Sequence, residues 1–247
     1  MIRGVLQSLI VGAAILAPGA DAQTQPPSVD GVAAVYDFYL GGIPAGQLTI
    51  DAAFGSSDYS ASAGLKTTGI VGYLFDLAFN ARAYGRIDPG GLSPDHYNSF
   101  SQDPKRQYLV EISFENRTPV STRIEPERDV RPWSIDPRDQ RDTVDPLSAV
   151  LAAFAPAPAG AVCDKRVEVF DGRRRFALDI GRRQHDGNRI SCDAEYVRLA
   201  GFRPKWMGNN STRPFTLYME QRSDGLFQVA RAVADTSFGA VVLQLRN

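Results

Sequence analysis

From Val32 onward, apolar and polar residues alternate in short runs separated by turn residues. AAVYDFYL (33–40) alternates and stops at Gly41-Gly42, and AGQLTIDAAF (45–54) carries Leu48, Ile50 and Ala52 on one face. After the turn Gly55-Ser56-Ser57-Asp58, DYSASAGLKT (58–67) aligns Tyr59, Ala61, Ala63 and Leu65. VGYLFDLAFNARAYGRI (71–87) is a long aromatic strand predicted to bend near Asn80. DHYNSFSQ (95–102), RQYLVEISF (106–114) and TPVSTRIEP (118–126) follow. EYVRLAGF (195–202), PFTLYMEQR (214–222), LFQVARAVAD (226–235) and FGAVVLQLR (238–246) close the chain. Period-two runs punctuated about every 8–12 residues predict a mainly β, antiparallel protein. No internal period of about 20–50 residues is visible, which argues against a propeller or solenoid.

One segment carries the other periodicity. In DPLSAVLAAFAPAPAG (145–160), Asp145 suits an N-cap, Pro146 suits the first helical position, and Pro156 and Pro158 end the run. Leu147, Val150, Leu151 and Phe154 fall at helical spacing, so a helix over about 146–155 is predicted to lay this stripe on the concave side or open end of the sheet. The charged, Pro-containing stretch 127–142 reads as a surface loop with Trp133 as its anchor.

Residues 163–192 begin and end with the chain's two cysteines. Asp171-Gly172 reads as a two-residue hairpin turn that sets Val169 opposite Arg174 and Glu168 opposite Arg175, a cross-strand ion pair. Val167, Val169, Phe176, Leu178 and Ile180 then share one face, and Arg173, Arg174 and Arg175 alternate across the hairpin end. A second turn at Asp186-Gly187-Asn188 sets Ile180 opposite Ala194 and puts Ile190, Cys192 and Tyr196 on the apolar face. Cys163 and Cys192 are expected to form a disulfide. In a flat meander their strands would stand about 9–10 Å apart, beyond the reach of about 7 Å. Either the sheet is strongly rolled here, or Cys163 sits in the incoming loop and folds over the middle strand.

The N-terminus changes the picture from fold to compartment. Arg3, the apolar stretch Val5–Leu16 and Ala20-Asp21-Ala22 form the three parts of a secretory leader, so residues 1–22 read as a signal peptide cut near Ala22. Residues 23–31 are a polar, Pro-rich lead-in, and 32–247 form a single β-rich domain. No other run is apolar enough for a spanning helix, so a soluble, exported, periplasmic protein is expected rather than an integral membrane protein. The net charge of −1 argues against bulk nucleic-acid binding. Cys163, Cys192, His96 and His185 fit no metal-ligand spacing, and neither histidine lies in a nucleophile motif, so no metal, cofactor or catalytic residue is assigned. An outer-membrane barrel would call for strands of about 10 residues with aromatic girdles, which the shorter runs here do not supply.

YDFYLGGIPAGQL (36–48), TTGIVGYLFDL (67–77), DPLSAVL (145–151), Cys163 before VFDGRRRF (169–176), and Cys192 before LAGF (199–202) occur in that order over most of the chain. By these motifs the chain resembles the bacterial exported family called domain of unknown function 3108. The resemblance implies a periplasmic, β-rich protein with an inter-strand disulfide. It further implies an open or spiral β-barrel, broadly like lipoprotein-carrier and envelope-homeostasis proteins, and it brings no catalytic residues.

The expectation is therefore a non-catalytic cell-envelope protein with a hydrophobic cleft in a curved sheet. Tyr73, Phe75, Phe79 and Tyr84 from the aromatic run, with Leu147, Val150, Leu151 and Phe154 from the helix, are its candidate lining. Its ligand would be a lipid or lipoprotein acyl chain. The alternative is an envelope scaffold that touches another envelope protein, in which these residues form a filled core. A hydrolase is the weaker class, resting only on the abundance of carboxylates.

Overall fold

The computed structural model describes residues 31–127, 129–186, 189–237 and 239–246. The predicted leader and nearly all of the predicted lead-in, like the turn residues Gly187 and Asn188, lie outside them. Strands β1 (Gly31–Leu40), β2 (Ile43–Phe54), β3 (Asp58–Thr67), β4 (Ala78–Asp88), β5 (Gly91–Asp103), β6 (Arg106–Glu115) and β7 (Thr118–Glu125) form the first run. Strands β8 (Lys165–Phe170), β9 (Arg175–Asp186), β10 (Arg189–Ala200), β11 (Thr212–Gln221), β12 (Phe227–Thr236) and β13 (Gly239–Leu245) form the second. All belong to one antiparallel sheet in which β1 pairs β13, so the ends of the chain meet mid-sheet and β7 and β8 are the outer strands. The sheet is mainly β and antiparallel as the alternation predicts, and it rolls into a nearly closed barrel, as the resemblance implied.

The barrel's two edges overlap rather than pair. Gly172, in the β8–β9 connection at φ +91°, sits so close to β6 and β7 that a Cβ there would lie 2.9 Å from Val110 Cγ1, with Ile112 and Thr122 next. Phe170, beside it, has no exposed surface. The gap is also bridged by chain: Val144 hydrogen-bonds β8 in parallel at Val169, while the amide of Thr143 donates to Arg117 O in the β6–β7 turn.

Side chains at alternate positions face inward. Tyr36, Ile50, Tyr59, Tyr97, Ile112, Ile180, Cys192, Leu217 and Met219 make one core, and into it packs α2 (Pro146–Phe154). Leu147 and Leu151 are nearly fully buried, each contributing about 1.5–3 kcal/mol. The extended Ala155 before Pro156 ends the helix. At its C-terminal turn the Lys165 ammonium, half-sunk beneath the helix, donates to Ala152 O at 2.6 Å.

Two local expectations are corrected. The run 71–87 is not one strand bent near Asn80: a second helix, α1 (Gly69–Phe75), precedes β4, and the chain turns at Asp76 in the left-handed region. Thr67, at the end of β3, hydrogen-bonds Leu77 across this excursion with both backbone and hydroxyl. The ladder thereby continues past a loop that happens to be apolar. The β8–β9 hairpin has a four-residue connection, with Phe170 opposite Arg175 and Val169 opposite Phe176. Asp171 Oδ1 accepts from the amides of Arg173 and Arg174, which rounds the turn. A two-residue shift preserves side-chain parity, so the face Val167, Val169, Phe176 and Leu178 survives, packed on Val144 and Ala149. Arg175 still reaches Glu168, now on the diagonal, at 2.7 Å. Ile180 does lie opposite Ala194.

Cys163 and Cys192 are bonded, with Cα atoms 5.7 Å apart. Cys163 lies in the bend before β8, not on a strand, so the staple runs from the incoming loop over β9 to β10, at a bulge in the β9–β10 ladder. That corrects the inter-strand pairing the resemblance implied. The Cys163→Ser, Cys192→Ser double variant is expected to lose about 3–4 kcal/mol against urea relative to the oxidised protein, from release of a loop of about 30 residues. A loss below about 1 kcal/mol would mean that the neighbouring hydrogen bonds alone fix this loop.

Candidate functional site

Two features of the interior invite a chemical reading: a buried polar cluster at the start of α2 and an apolar cleft beyond its end. Asp145 caps the helix. Its Oδ1 accepts from the amides of Leu147 at 2.9 Å and Ser148 at 3.0 Å, and its Oδ2 accepts from the Ser148 hydroxyl. Ser148 Oγ lies 2.5 Å from the Tyr59 hydroxyl on β3, so the cap is tied to the barrel wall. All three residues are buried. Burial, outweighing those hydrogen bonds, raises the Asp145 carboxyl from its usual 3.8 to about 6. Burial and the Asp145 charge push the Tyr59 phenol upward too. A carboxylate, two hydroxyls and no exposed surface suit a structural tie, not a reaction with solvent-borne substrate.

At the other end of α2 the helix stops short of filling the lumen. Phe154, its last residue, forms the floor of a cleft of about 460 Å³ whose walls are Tyr196 of β10, Phe215 and Leu217 of β11, Ala232 and Ala234 of β12, and Val241 and Leu243 of β13. These positions pair across the sheet: Leu217 lies opposite Ala232, and Ala232 opposite Leu243. Alanines on β12 between larger residues on both neighbours leave the hollow. Arg213, Asp235 and Thr236 stand at its mouth. Burial, then the Asp171 charge, pushes the Tyr196 phenol up to about 12, so the wall stays neutral.

The candidate residues separate. Leu147 and Leu151 are core, Val150 and Phe154 pack partly buried against it, and Phe154 alone of the eight lines the cleft. Phe79 also packs on the core. Tyr73 on α1 is 90% exposed, and Tyr84 points outward, its ring 5.5 Å from His96. The side chain of Phe75 lies outside what the structure describes. The expectation that the aromatic run and the helix line one cleft is thus corrected: α1 turns Tyr73 away, and strand alternation puts Tyr84 on the outer face. The sequence reading missed the walls from β11 to β13. Their small–large alternation, Ala232 and Ala234 between Leu217 and Leu243, is the only signal, and it needs the strand pairing to be read. Trp133 is half-buried. Among the described residues no group of three or more His, Cys, Asp or Glu is placed to hold a metal ion, and no helix is long and apolar enough to cross a membrane.

A family model described as a protein of unknown function, domain of unknown function 3108, matches residues 35–245. The match spans the whole barrel apart from the first four residues of β1, and the chain belongs to that family. Among curated proteins none matches it.

Asp145 generates a pH dependence. Its carboxyl binds a proton more tightly folded, at about 6, than unfolded, at 3.8. In that window the native state holds the extra proton, so stability falls as pH rises from about 4 to 6, by on the order of 3 kcal/mol, and is flat on either side. Asp145→Asn keeps an N-cap acceptor without the buried charge and is expected to flatten this slope in urea unfolding at pH 4, 5, 6 and 7. Asp145→Ala leaves two amides unsatisfied and should lose about 2 kcal/mol even at pH 4. An unaltered slope in Asp145→Asn would assign the titration elsewhere.

Proposed function

We propose that this family member is an exported, non-catalytic envelope protein that shelters an apolar chain, such as a lipid or lipoprotein acyl chain, in the cleft beyond α2. The observation that carries this reading is the cleft itself. It is apolar on its walls and floor, polar only at its mouth, and its volume of about 460 Å³ falls within the range of about 300–1,000 Å³ usual for small-molecule sites. Export and a periplasmic location are supported by the leader pattern of residues 1–22 and by a disulfide that belongs in an oxidising compartment. A second reading, an envelope interaction protein with no small ligand, draws on α1, whose Ile70 and Tyr73 are 69% and 90% exposed.

Titration with cis-parinaric acid, a fatty acid that fluoresces when bound, tests the first reading on the full disulfide-bonded protein. Saturable binding at micromolar concentration is expected. Ala234→Phe, which fills the mouth from a half-buried position, should abolish it with the thermal midpoint within about 3 °C. Native mass spectrometry of protein purified without detergent should show an adduct of lipid mass that disappears on denaturation. No saturable binding in the unsubstituted protein would overturn the acyl-chain reading and leave the interaction reading in its place.

A further inference from the structure

A second cleft, of about 520 Å³, lies among the loops at the same end of the barrel as the mouth of the first. Four segments distant in sequence build it: the start of β6, the connection after β7, the β8–β9 turn, and the connection after β10. They bring Arg106, Arg131, Arg173, Arg174 and Arg203 to its lining against only two carboxylates, those of Glu127 and Asp129. In a chain whose net charge is −1, that is a concentration of positive charge in one concave place. Arg131 is paired with Asp129, and Arg106 donates to the Tyr108 hydroxyl. Arg174 and Arg203 form no ion pair among the described residues. Their guanidinium groups lie over the rings of Phe202, at 5.3 Å, and Trp206, at 5.8 Å. Trp133 and Trp206, the chain's two tryptophans, both line the cleft.

We propose that this cleft binds a phosphate group carried on a sugar ring. One guanidinium fork suffices for a carboxylate. Five guanidinium forks around one space, two of them held on ring faces rather than on carboxylates, suit the three oxygens and double charge of a phosphate ester. The half-buried indole of Trp133 gives the ring an apolar surface on which its C–H groups can lie, while Trp206 carries cations on its own ring. Gly201, at φ +81°, is what lets the walls close in: a Cβ there would stand 2.4 Å from Arg173 O. The site is independent of the apolar cleft, and neither depends on the other being filled.

Because both tryptophans line this cleft, emission excited at 295 nm reports on it alone. Glucose 1-phosphate serves as the free probe. Phosphatidylcholine vesicles carrying phosphatidylinositol 4-phosphate present the same chemistry on a lipid headgroup, with glucose and plain phosphatidylcholine vesicles as controls. A saturable emission change with either phosphorylated probe, absent with its control, is expected. The free probe alone responding identifies a soluble sugar phosphate, and the vesicles alone a headgroup. The exposed pair Arg106→Gln and Arg203→Gln should together weaken binding at least tenfold, and raising the salt from 50 to 500 mM should weaken it further. No saturable change with either probe, or an equal change with unphosphorylated glucose, would overturn the proposal, as would unchanged affinity in the double variant.

Discussion

A barrel of about eight strands is just narrow enough for its own side chains to fill, and more strands leave a lumen that something else must occupy. Among the described residues this sheet has thirteen. The rest of the structure follows from how that lumen is filled. Helix α2 lies in it, with Leu147 and Leu151 buried against the inner faces of the strands and Phe154 set edge-on to Tyr36 at 5.5 Å. The helix has only nine residues, too few to be stable alone. It is held by what it touches: the Asp145 cap tied through Ser148 to Tyr59, and Lys165 donating to the Ala152 carbonyl in its last turn. Its length also decides where the filling stops. Beyond Phe154 the large residues of β11 and β13 face alanines on β12, and the cleft is the part of the lumen the helix does not reach.

The same constraint explains the way the barrel closes. The connection from β7 to β8 must leave the sheet, cross the interior as α2 and return to the rim. β7 and β8 therefore cannot be joined by a short turn or meet in a ladder. The edge is covered by Val144 on β8 and by the β8–β9 tip lying on β6 and β7, where Gly172 leaves room that a side chain would take. Unpaired edges invite pairing with other chains, so overlap and a bridging residue protect this one. The disulfide acts at the point of return. It fixes the loop that carries the chain out of the interior to β10, two strands in from the edge.

What could be read from the sequence follows the same division. Period two identified the strands because one face of each looks inward. Asp145, Pro146 and Pro156 marked α2 by local chemistry that needs no partner. Helix α1 was illegible because its seven residues are apolar with no clear period, and only the Thr67–Leu77 hydrogen bonds across its base turn it out of the ladder. The hairpin register was two residues off because Asp171 caps a wider turn with its side chain, a choice that Asp-Gly alone does not settle. Site residues were harder. Phe154 was within reach, being the end of a predicted helix. Tyr73 and Tyr84 read as lining only while the aromatic run was taken as one strand.

In sequence, residues 163–192 offered a basic surface only as the weaker reading, and the cleft itself could not be seen for a physical reason. Residues 106, 131, 173, 174 and 203 are unremarkable singly, and around 173–175 the neighbouring acids make the charge look balanced. In space the acids are drawn off. Glu168 pairs with Arg166 and Arg175, and Asp171 hydrogen-bonds the amides of its own turn, though its charge still acts on Arg173 and Arg174. That leaves Arg174 facing Phe202. Arg198 completes the arrangement, with its guanidinium 5.8 Å from the Tyr196 ring and 6.0 Å from the Trp206 ring. Tyr196 is a wall of the apolar cleft and Trp206 a wall of the basic one, so the Arg198 guanidinium lies between the linings of the two hollows. Exposed ion pairs elsewhere on the barrel, such as Arg123 with Glu111, are each worth little. Cations stacked on aromatic faces at a cleft remain available to an anion, because an aromatic face, unlike a carboxylate, leaves their charge uncancelled.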